Sequence, residues 1–253
     1  MSLHQRIYTL VIVPILGLFL TFILIHAFGS HAESTEISRL SIVGALAATF
    51  GRLLVAYVFA LLFSLPLALL VTRNAFAERV FLPLFDVIQS LPMLAFFPVV
   101  IVFFVHFGMY NGAAIFILFT AMLWNIVFSL VSGLHSIPAE IKAAGHIFGL
   151  HGLAFARKIL VPASVPYLIT GSILAFAQGW NIVIVAEVLH TYLPGSTTAI
   201  DLYGIGSVLV HASADGQQQT FLAAILALVV VIALCNFFIW QKLLHHAEKY
   251  KFE

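Results

Sequence analysis

Long apolar runs alternate with short polar breaks along this chain, a pattern of crossings and connections rather than of strands. Ile7–Phe28 is predominantly apolar, and Gly29–Arg39 interrupts it with Glu33, Glu36 and Arg39. Ser41–Val71 follows, apolar except for Arg52 and a few hydroxyls. As one helix it would reach about 46 Å, well beyond a hydrocarbon core of about 30 Å. The pattern therefore predicts an interfacial lead-in over Ser41–Gly51 and a crossing over Leu53–Val71. Thr72–Val80 is a polar loop. Phe81–Phe107 carries Pro83, Pro92 and Pro98 together with Asp86 and Gln89, which predicts an interfacial segment to Ser90 and a kinked crossing over Leu91–Phe107. Gly112–Gly133, Val165–Leu189 and Thr220–Trp240 are further crossings. The expectation is an all-α polytopic membrane protein with six transmembrane helices, about 7–28, 53–71, 91–107, 112–133, 165–189 and 220–240, forming a single transmembrane domain over 1–253.

Composition agrees. Hydrophobic residues make up 62% and charged residues 8%, with a mean hydropathy of +1.12, against about 45–50% and about 25% in soluble domains. A soluble or secreted enzyme, a disordered chain and a nucleic-acid binder are excluded, and the net charge of +1 supplies no global field. The placement of the basic residues is more telling. With six crossings, Arg6, Arg73, Arg79, Lys142, Arg157, Lys158, Lys242, Lys249 and Lys251 fall on one side, Arg39 falls on the other, and Arg52 lies at a boundary. That asymmetry puts both termini in the cytoplasm. The first run is longer than the about 7–15 residues of a signal-peptide core. Although Ser30-His31-Ala32 would pass as a cleavage site, the run reads as a retained span. Cys235, the lone cysteine, has no intramolecular disulfide partner.

Leu134–Pro162 breaks the pattern. It holds Glu140, Lys142, Arg157 and Lys158, yet its apolar residues Ile137, Ile141, Ala144, Phe148, Leu153, Ala156 and Leu160 recur at helical spacing. Two short surface helices are expected, jointed at Gly149, the first starting near Pro138 with Ser136 as its N-cap. A helix resting on the bilayer would show the same amphipathicity. The punctuation is more specific: Gly149, nine residues, Ile159, one residue, then Val161-Pro162.

This spacing resembles the cytoplasmic signature of binding-protein-dependent ABC transporter permeases, Glu-Ala-Ala, three residues, Gly, nine residues, Ile, one residue, Leu-Pro. Ala144, Gly149, Ile159 and Pro162 match it, Val161 replaces Leu, Gly145 replaces the second Ala, and Ala143 stands where the family carries Glu. Glu140, one turn earlier, is the candidate to supply the missing carboxylate. Pro162-Ala163-Ser164-Val165-Pro166-Tyr167 with Thr170-Gly171 is similar to the family's fifth span. Gly179-Trp180 through Ala186-Glu187, and Ser90-Leu91-Pro92 with Phe97-Pro98, resemble its nitrate, sulfonate and taurine branch. Gly195 to Gly216, with Tyr203-Gly204-Ile205-Gly206, resembles a half-unit of the duplicated anion-type permeases.

The resemblance implies a type I-like ABC importer permease fold, a multi-pass protein of a bacterial or archaeal cytoplasmic membrane. It implies a second permease subunit as partner (homodimer or heterodimer), a cytoplasmic ATPase subunit and an external solute-binding protein. The solute would be a small anion such as nitrate, a sulfonate or taurine. The loop becomes a coupling element in which Glu140, Ile141, Ala143, Ala144, Gly145, Ile147, Phe148, Gly149, Leu150, Ile159 and Pro162 engage the ATPase, with Ile141, Ile147, Phe148 and Leu150 filling its cleft. No phosphate-binding loop occurs in the sequence, so the chain is expected not to be an enzyme and to bind no cofactor, ATP and Mg being used by the partner.

Inside the crossings, Asn125, Gln178 and Asn181 either line a solute path or hydrogen-bond helices together. Trp124 and Trp180 sit at the same depth. Arg52 either draws anions to the outer mouth or snorkels. Glu187 is an outer gate, a binding-protein contact or a solvated helix end. Asp86 and Gln89 read as a solvated boundary. The eleven histidines show no metal-ligand spacing, so no metal site is expected. A stand-alone channel or secondary carrier is the alternative reading. It is disfavoured because the prolines of the third span have no counterpart in the other half. An intramembrane enzyme would need a nucleophile–base pair within the spans, and none is found.

Overall fold

The computed structural model describes residues 39–192 and 200–247. The predicted crossing at 7–28 lies outside them. Helix α1, Arg39–Val71, runs unbroken. Helices α2, Ala75–Ser90, and α3, Met93–His106, follow, then α4, Tyr110–His135, and the short α5, Ala139–Ile147. One turn at Gly152–Phe155 (α6) and a π-helical turn at Ala156–Leu160 lead into α7, Val161–Glu187. After a 3-10 turn at His190–Tyr192 come α8, Ile205–Ala214, and α9, Gln218–Cys235. A second π turn at Asn236–Trp240 continues into α10, Gln241–Ala247.

Among the described residues four helices are long and apolar enough to cross a membrane: Ile42–Val71, Tyr110–His135, Ala156–Glu187 and Gln218–Ala247. The α2–α3 pair, bent by 86°, makes a fifth when counted as one broken span. The break falls where the prolines predict it. Pro92 has no N–H and holds the preceding Leu91 extended, at φ −67° and ψ 133°.

Helix α4 is the centre of the bundle, packed along α1 on one side and α7 on the other. Its buried positions include Ile117, Met122, Ile126 and Leu130. Hydrocarbon tails are as apolar as leucine, so membrane helices gain from close approach rather than from burial alone. Glycine permits that approach on α7. A Cβ on Gly171 would lie 2.7 Å from Ser129 Cβ of α4, and one on Gly179 would lie 2.7 Å from Leu53 of α1. Beside this contact Tyr57, Phe176 and Trp240 interlock, with ring centroids 4.9 Å apart for Tyr57–Phe176 and 5.1 Å for Phe176–Trp240. The Tyr57 hydroxyl donates to Ser172 Oγ at 2.7 Å.

Two local expectations are corrected. The split of Ser41–Val71 at Gly51–Arg52 does not occur: the helix continues because the charge that argued for a boundary is neutralised within the protein. Ser136 does not cap α5. It is the C-cap of α4, its Oγ donating to Gly133 O at 2.9 Å, while Pro138 occupies the N-cap position of α5 without a side-chain bond.

Candidate functional site

The segment between α4 and α7 is built from its punctuation. Pro138 starts α5 with a fixed φ, and Gly149 stops it in the left-handed region at φ +73°. The stop is a Schellman arrangement, in which Leu150 N–H donates to Gly145 O and Gly149 N–H donates to His146 O, both at 3.0 Å. Gly145 faces inward. A Cβ there would lie 2.8 Å from the Phe155 ring and would overlap the Ile159 side chain. The glycine that replaces the expected alanine thus makes room for Ile159 to fold the second arm of the loop onto the first. His146 stacks on Phe155 at 4.6 Å between centroids, and Lys142 Nζ caps the end of α4 by donating to Leu134 O at 3.2 Å.

One face of α5 packs and the other is open. Ile141 and Leu150 are half-buried, and Ile141 lies against the core. Glu140, Ala143 and Ala144 are exposed on the opposite face, ending in Ile147 and Phe148, which are 83% and 82% exposed. Ile141 therefore points into its own bundle, and the apolar tip presented outward is Ile147-Phe148. Glu140 shares the exposed face with Ala143 and Ala144. Past the joint, the wide π turn at Ala156–Leu160 is closed by Val161 N–H donating to Ala156 O. It carries the chain past Pro162, which has no N–H to donate, and Pro162 and Pro166 begin α7.

At the far end of the bundle a second constellation forms around Glu187, whose side chain is fully buried. Its Oε1 pairs with Arg52 Nη1 and accepts from Thr49 Oγ1 at 2.7 Å. Its Oε2 accepts from Gly206 N–H at 2.8 Å. Arg52 also donates through Nε to Asn111 Oδ1 at 2.9 Å and through Nη2 to the Tyr203 carbonyl. Thr49 Oγ1 accepts from Ile205 N–H at 2.9 Å. Thus α8, whose N-cap Gly204 has no side chain, has its first amides satisfied by residues of α1 and α7. A buried carboxylate sits at its positive end. Gly204 and Gly206 leave the space: a Cβ on Gly206 would lie 2.9 Å from Glu187 Oε2.

The residues considered for a path separate. Arg52 and Glu187 bind each other. Asn125 is half-buried and donates to Ala121 O of its own helix at 3.3 Å. Trp180 stacks on Phe50 at 6.3 Å, and Trp124 packs on Phe85 at 5.3 Å. Gln178 and Asn181 are exposed on one stripe of α7 with Thr170, Leu174, Ala177 and Ile184. Asp86 and Gln89 are exposed and bonded to one another at 2.9 Å. Sequence reasoning missed Thr49, Asn111 and the Tyr203 carbonyl. The Gly204-Ile205-Gly206 triplet was the available signal, since glycines around an apolar residue mark a close approach, but nothing in the sequence names what approaches.

The chain matches the family described as binding-protein-dependent transport system inner membrane component over residues 60–247. It belongs to that family. Among curated relatives of this inner membrane component is the nitrate import permease protein NrtB of Leptolyngbya laminosa, 28% identical over 191 residues, covering 76% of this chain and 64% of that protein. Another is the bicarbonate transport system permease protein CmpB of Synechococcus elongatus, 24% identical over 185 residues, covering 73% and 61%. A putative ABC transporter permease protein of Methanocaldococcus jannaschii is 22% identical over 237 residues, covering 88% and 80%. The chain thus spans less than two thirds of the nitrate and bicarbonate relatives it matches. A chain of the MetNI methionine ABC transporter, in an inward-facing conformation, superposes with a TM-score of 0.68 at 20% identity, covering 85% of this chain and 99% of that one. The fold is therefore that of an ABC importer permease, and this inner membrane component is a multi-pass protein whose relatives are transport subunits rather than enzymes.

Proposed function

We propose that the chain is the membrane-spanning permease subunit of an ATP-driven importer, coupled through α5 and its joint to a separate ATPase subunit. The observation that carries this is the exposure of Ile147 and Phe148 at the tip of a loop in which Ile137 is buried and Ile141 and Leu160 pack against the core. An apolar tip projecting from a rigid, capped helix on a polar connection is suited to a protein cleft. A helix merely lying on lipid would present a whole apolar face, whereas the face of α5 that bears Ile141 is already taken by the bundle. Basic residues at this end, Arg73, Arg79, Lys142, Arg157 and Lys158, support a cytoplasmic orientation.

The exposed stripe of α7, Thr170, Leu174, Ala177, Gln178, Asn181 and Ile184, is the face we assign to the solute path against a second permease subunit. It mixes small, apolar and amide residues at a continuous helical register. The Arg52–Glu187 pair closes the far end of the same helix rather than lining the path. A small anion is the proposed solute, in line with the nitrate and bicarbonate transport named for the relatives and with the branch motifs in the sequence. An external binding protein would deliver it. ATP hydrolysis belongs to the partner.

Affinity purification of the tagged chain from its host in mild detergent, with mass spectrometry of what co-purifies, tests the reading. An ATPase subunit retained by the wild type and lost with Phe148→Asp, at an unchanged melting temperature, supports it. A chain that comes down alone, with the loop variants indifferent, returns the stand-alone channel or carrier to the front.

A further inference from the structure

Beyond the loop and the ion pair, one cluster of titratable side chains is held by three separate stretches of chain. His190 follows the end of α7, Asp201 precedes α8, and His211 lies on the second turn of α8. His190 Nδ1 is 2.7 Å and His211 Nε2 is 2.9 Å from the same oxygen, Asp201 Oδ2. The other oxygen, Oδ1, accepts the backbone N–H of His190 at 3.0 Å, which fixes the carboxylate plane. The Asp201 side chain is only 3% exposed, while the imidazoles are 25% and 39% exposed.

We propose that His190, Asp201 and His211 form a zinc-class divalent metal site at the end of the bundle opposite the coupling loop. The donor atoms all lie within 4.8 Å of one another. Ligands at about 2.0–2.2 Å from a tetrahedral zinc are separated by about 3.3–3.5 Å, so binding requires the cluster to open by less than an ångström on its two short edges. On loading, each imidazole moves its proton to its other ring nitrogen and turns a lone pair to the metal. Two imidazoles and one carboxylate select a borderline transition metal over magnesium or calcium, which take oxygen sets.

Charge favours a cation here. No Lys or Arg occurs from Val188 to Gln241, and Arg52, which reaches the Tyr203 carbonyl, is already paired with Glu187. An open groove of about 430 Å³, bordered by Asp201, Ser207, His211 and Asp215, provides access and room for a fourth, exchangeable ligand. The metal would tie the end of α7 to α8, the helix whose first amides depend on Glu187. It is read without any ATPase partner, so its fate and that of the importer reading are independent.

The test uses the full chain, tag removed, in lipid nanodiscs after chelator treatment, with His245→Ala and His246→Ala as background to remove the adjacent histidine pair. Zinc is titrated calorimetrically and cobalt(II) is followed by its visible d–d absorption. The expected result is one equivalent of zinc per chain, a cobalt spectrum of tetrahedral intensity, and a melting temperature that rises with zinc. His211→Gln keeps a donor to Asp201 but supplies a poor metal ligand. It and Asp201→Asn should each weaken zinc binding by more than the about 10–100-fold typical of losing an outer-shell partner, and should abolish the zinc-induced rise. Equal affinity in wild type and both variants, or no uptake by a chain that melts cooperatively, overturns the proposal.

Discussion

Replacing Arg52 with Met separates the two halves of the buried pair. Methionine keeps much of the apolar stem and removes three donors at once, those to Glu187, Asn111 and the Tyr203 carbonyl. The fully buried Glu187 carboxylate is then left with only the Thr49 hydroxyl and the Gly206 amide. Breaking a buried pair from one side costs about 3–5 kcal/mol, because the surviving charge stays unpaired. Glu187→Gln should cost less, about 1.5–3 kcal/mol. The guanidinium it leaves behind is nearer the rim and keeps Asn111 and the Tyr203 carbonyl, and the amide oxygen still accepts one donor. The double variant Arg52→Met/Glu187→Gln should lose clearly less than the sum, since no uncompensated charge remains. Equilibrium unfolding in mixed micelles, followed by the fluorescence of Trp124, Trp180 and Trp240, measures all three. Arg52→Met within about 0.5 kcal/mol of wild type, the range of an ordinary surface change, would falsify the burial of this pair, and so would strict additivity in the double variant.

The remaining predictions concern the joint and the helix contacts. Gly149→Ala places a side chain at φ +73° and should cost about 1–2 kcal/mol in thermal unfolding, with a larger effect on ATPase stimulation than Ala154→Gly, at an exposed position in the second arm. Gly145→Ala should strain the loop by pressing on Ile159, and Ile159→Val should relieve it; melting temperatures of the single and double variants decide, and independent effects would count against the contact. Gly171→Leu drives a branched side chain into Ser129 and the Asn125 carbonyl, 3.1 Å from an added Cβ. It should destabilise by about 1–3 kcal/mol or more, seen as a lower yield of monodisperse protein and earlier melting. Asn181→Leu, on the exposed stripe, should leave melting within about 0.5 kcal/mol of wild type while altering transport by the assembled complex. A fall in stability there would place Asn181 in a packed contact instead.

The features legible in the sequence were those governed by local rules. The break at Leu91-Pro92 follows from proline's missing N–H, and the joint at Gly149 from the conformation a helix stop requires. The alternation of runs and the loop spacing pointed to the family before any contact was known. What escaped depended on residues far apart in the chain. Arg52 argued for a membrane boundary because its counter-ion lies 135 positions away, and only the fold brings the two together. Ser136 had the chemistry of an N-cap, but Pro138 lies two residues nearer α5 and the preceding helix claimed the serine. Ile141 has the same helical spacing as the rest of the loop's apolar residues, and amphipathic periodicity alone does not tell whether such a face meets its own bundle or a partner. The histidine–aspartate cluster was invisible for the same reason, its three residues being separated by 11 and 10 positions.

The dependence of α8 on other helices for its first hydrogen bonds also bears on how the chain assembles. Ten residues are too few for a helix to persist in isolation, and the acceptors that satisfy Ile205 and Gly206 come from Thr49 and Glu187. Helix α8 can therefore become ordered only after α1 and α7 have met across α4. The amides of Ile205 and Gly206 become clocks for the last stage of folding: in a pulse-labelling experiment they should acquire protection after those of α4, and a chain stalled before that point would display an unwound Gly-Ile-Gly segment as the mark of an unfinished subunit.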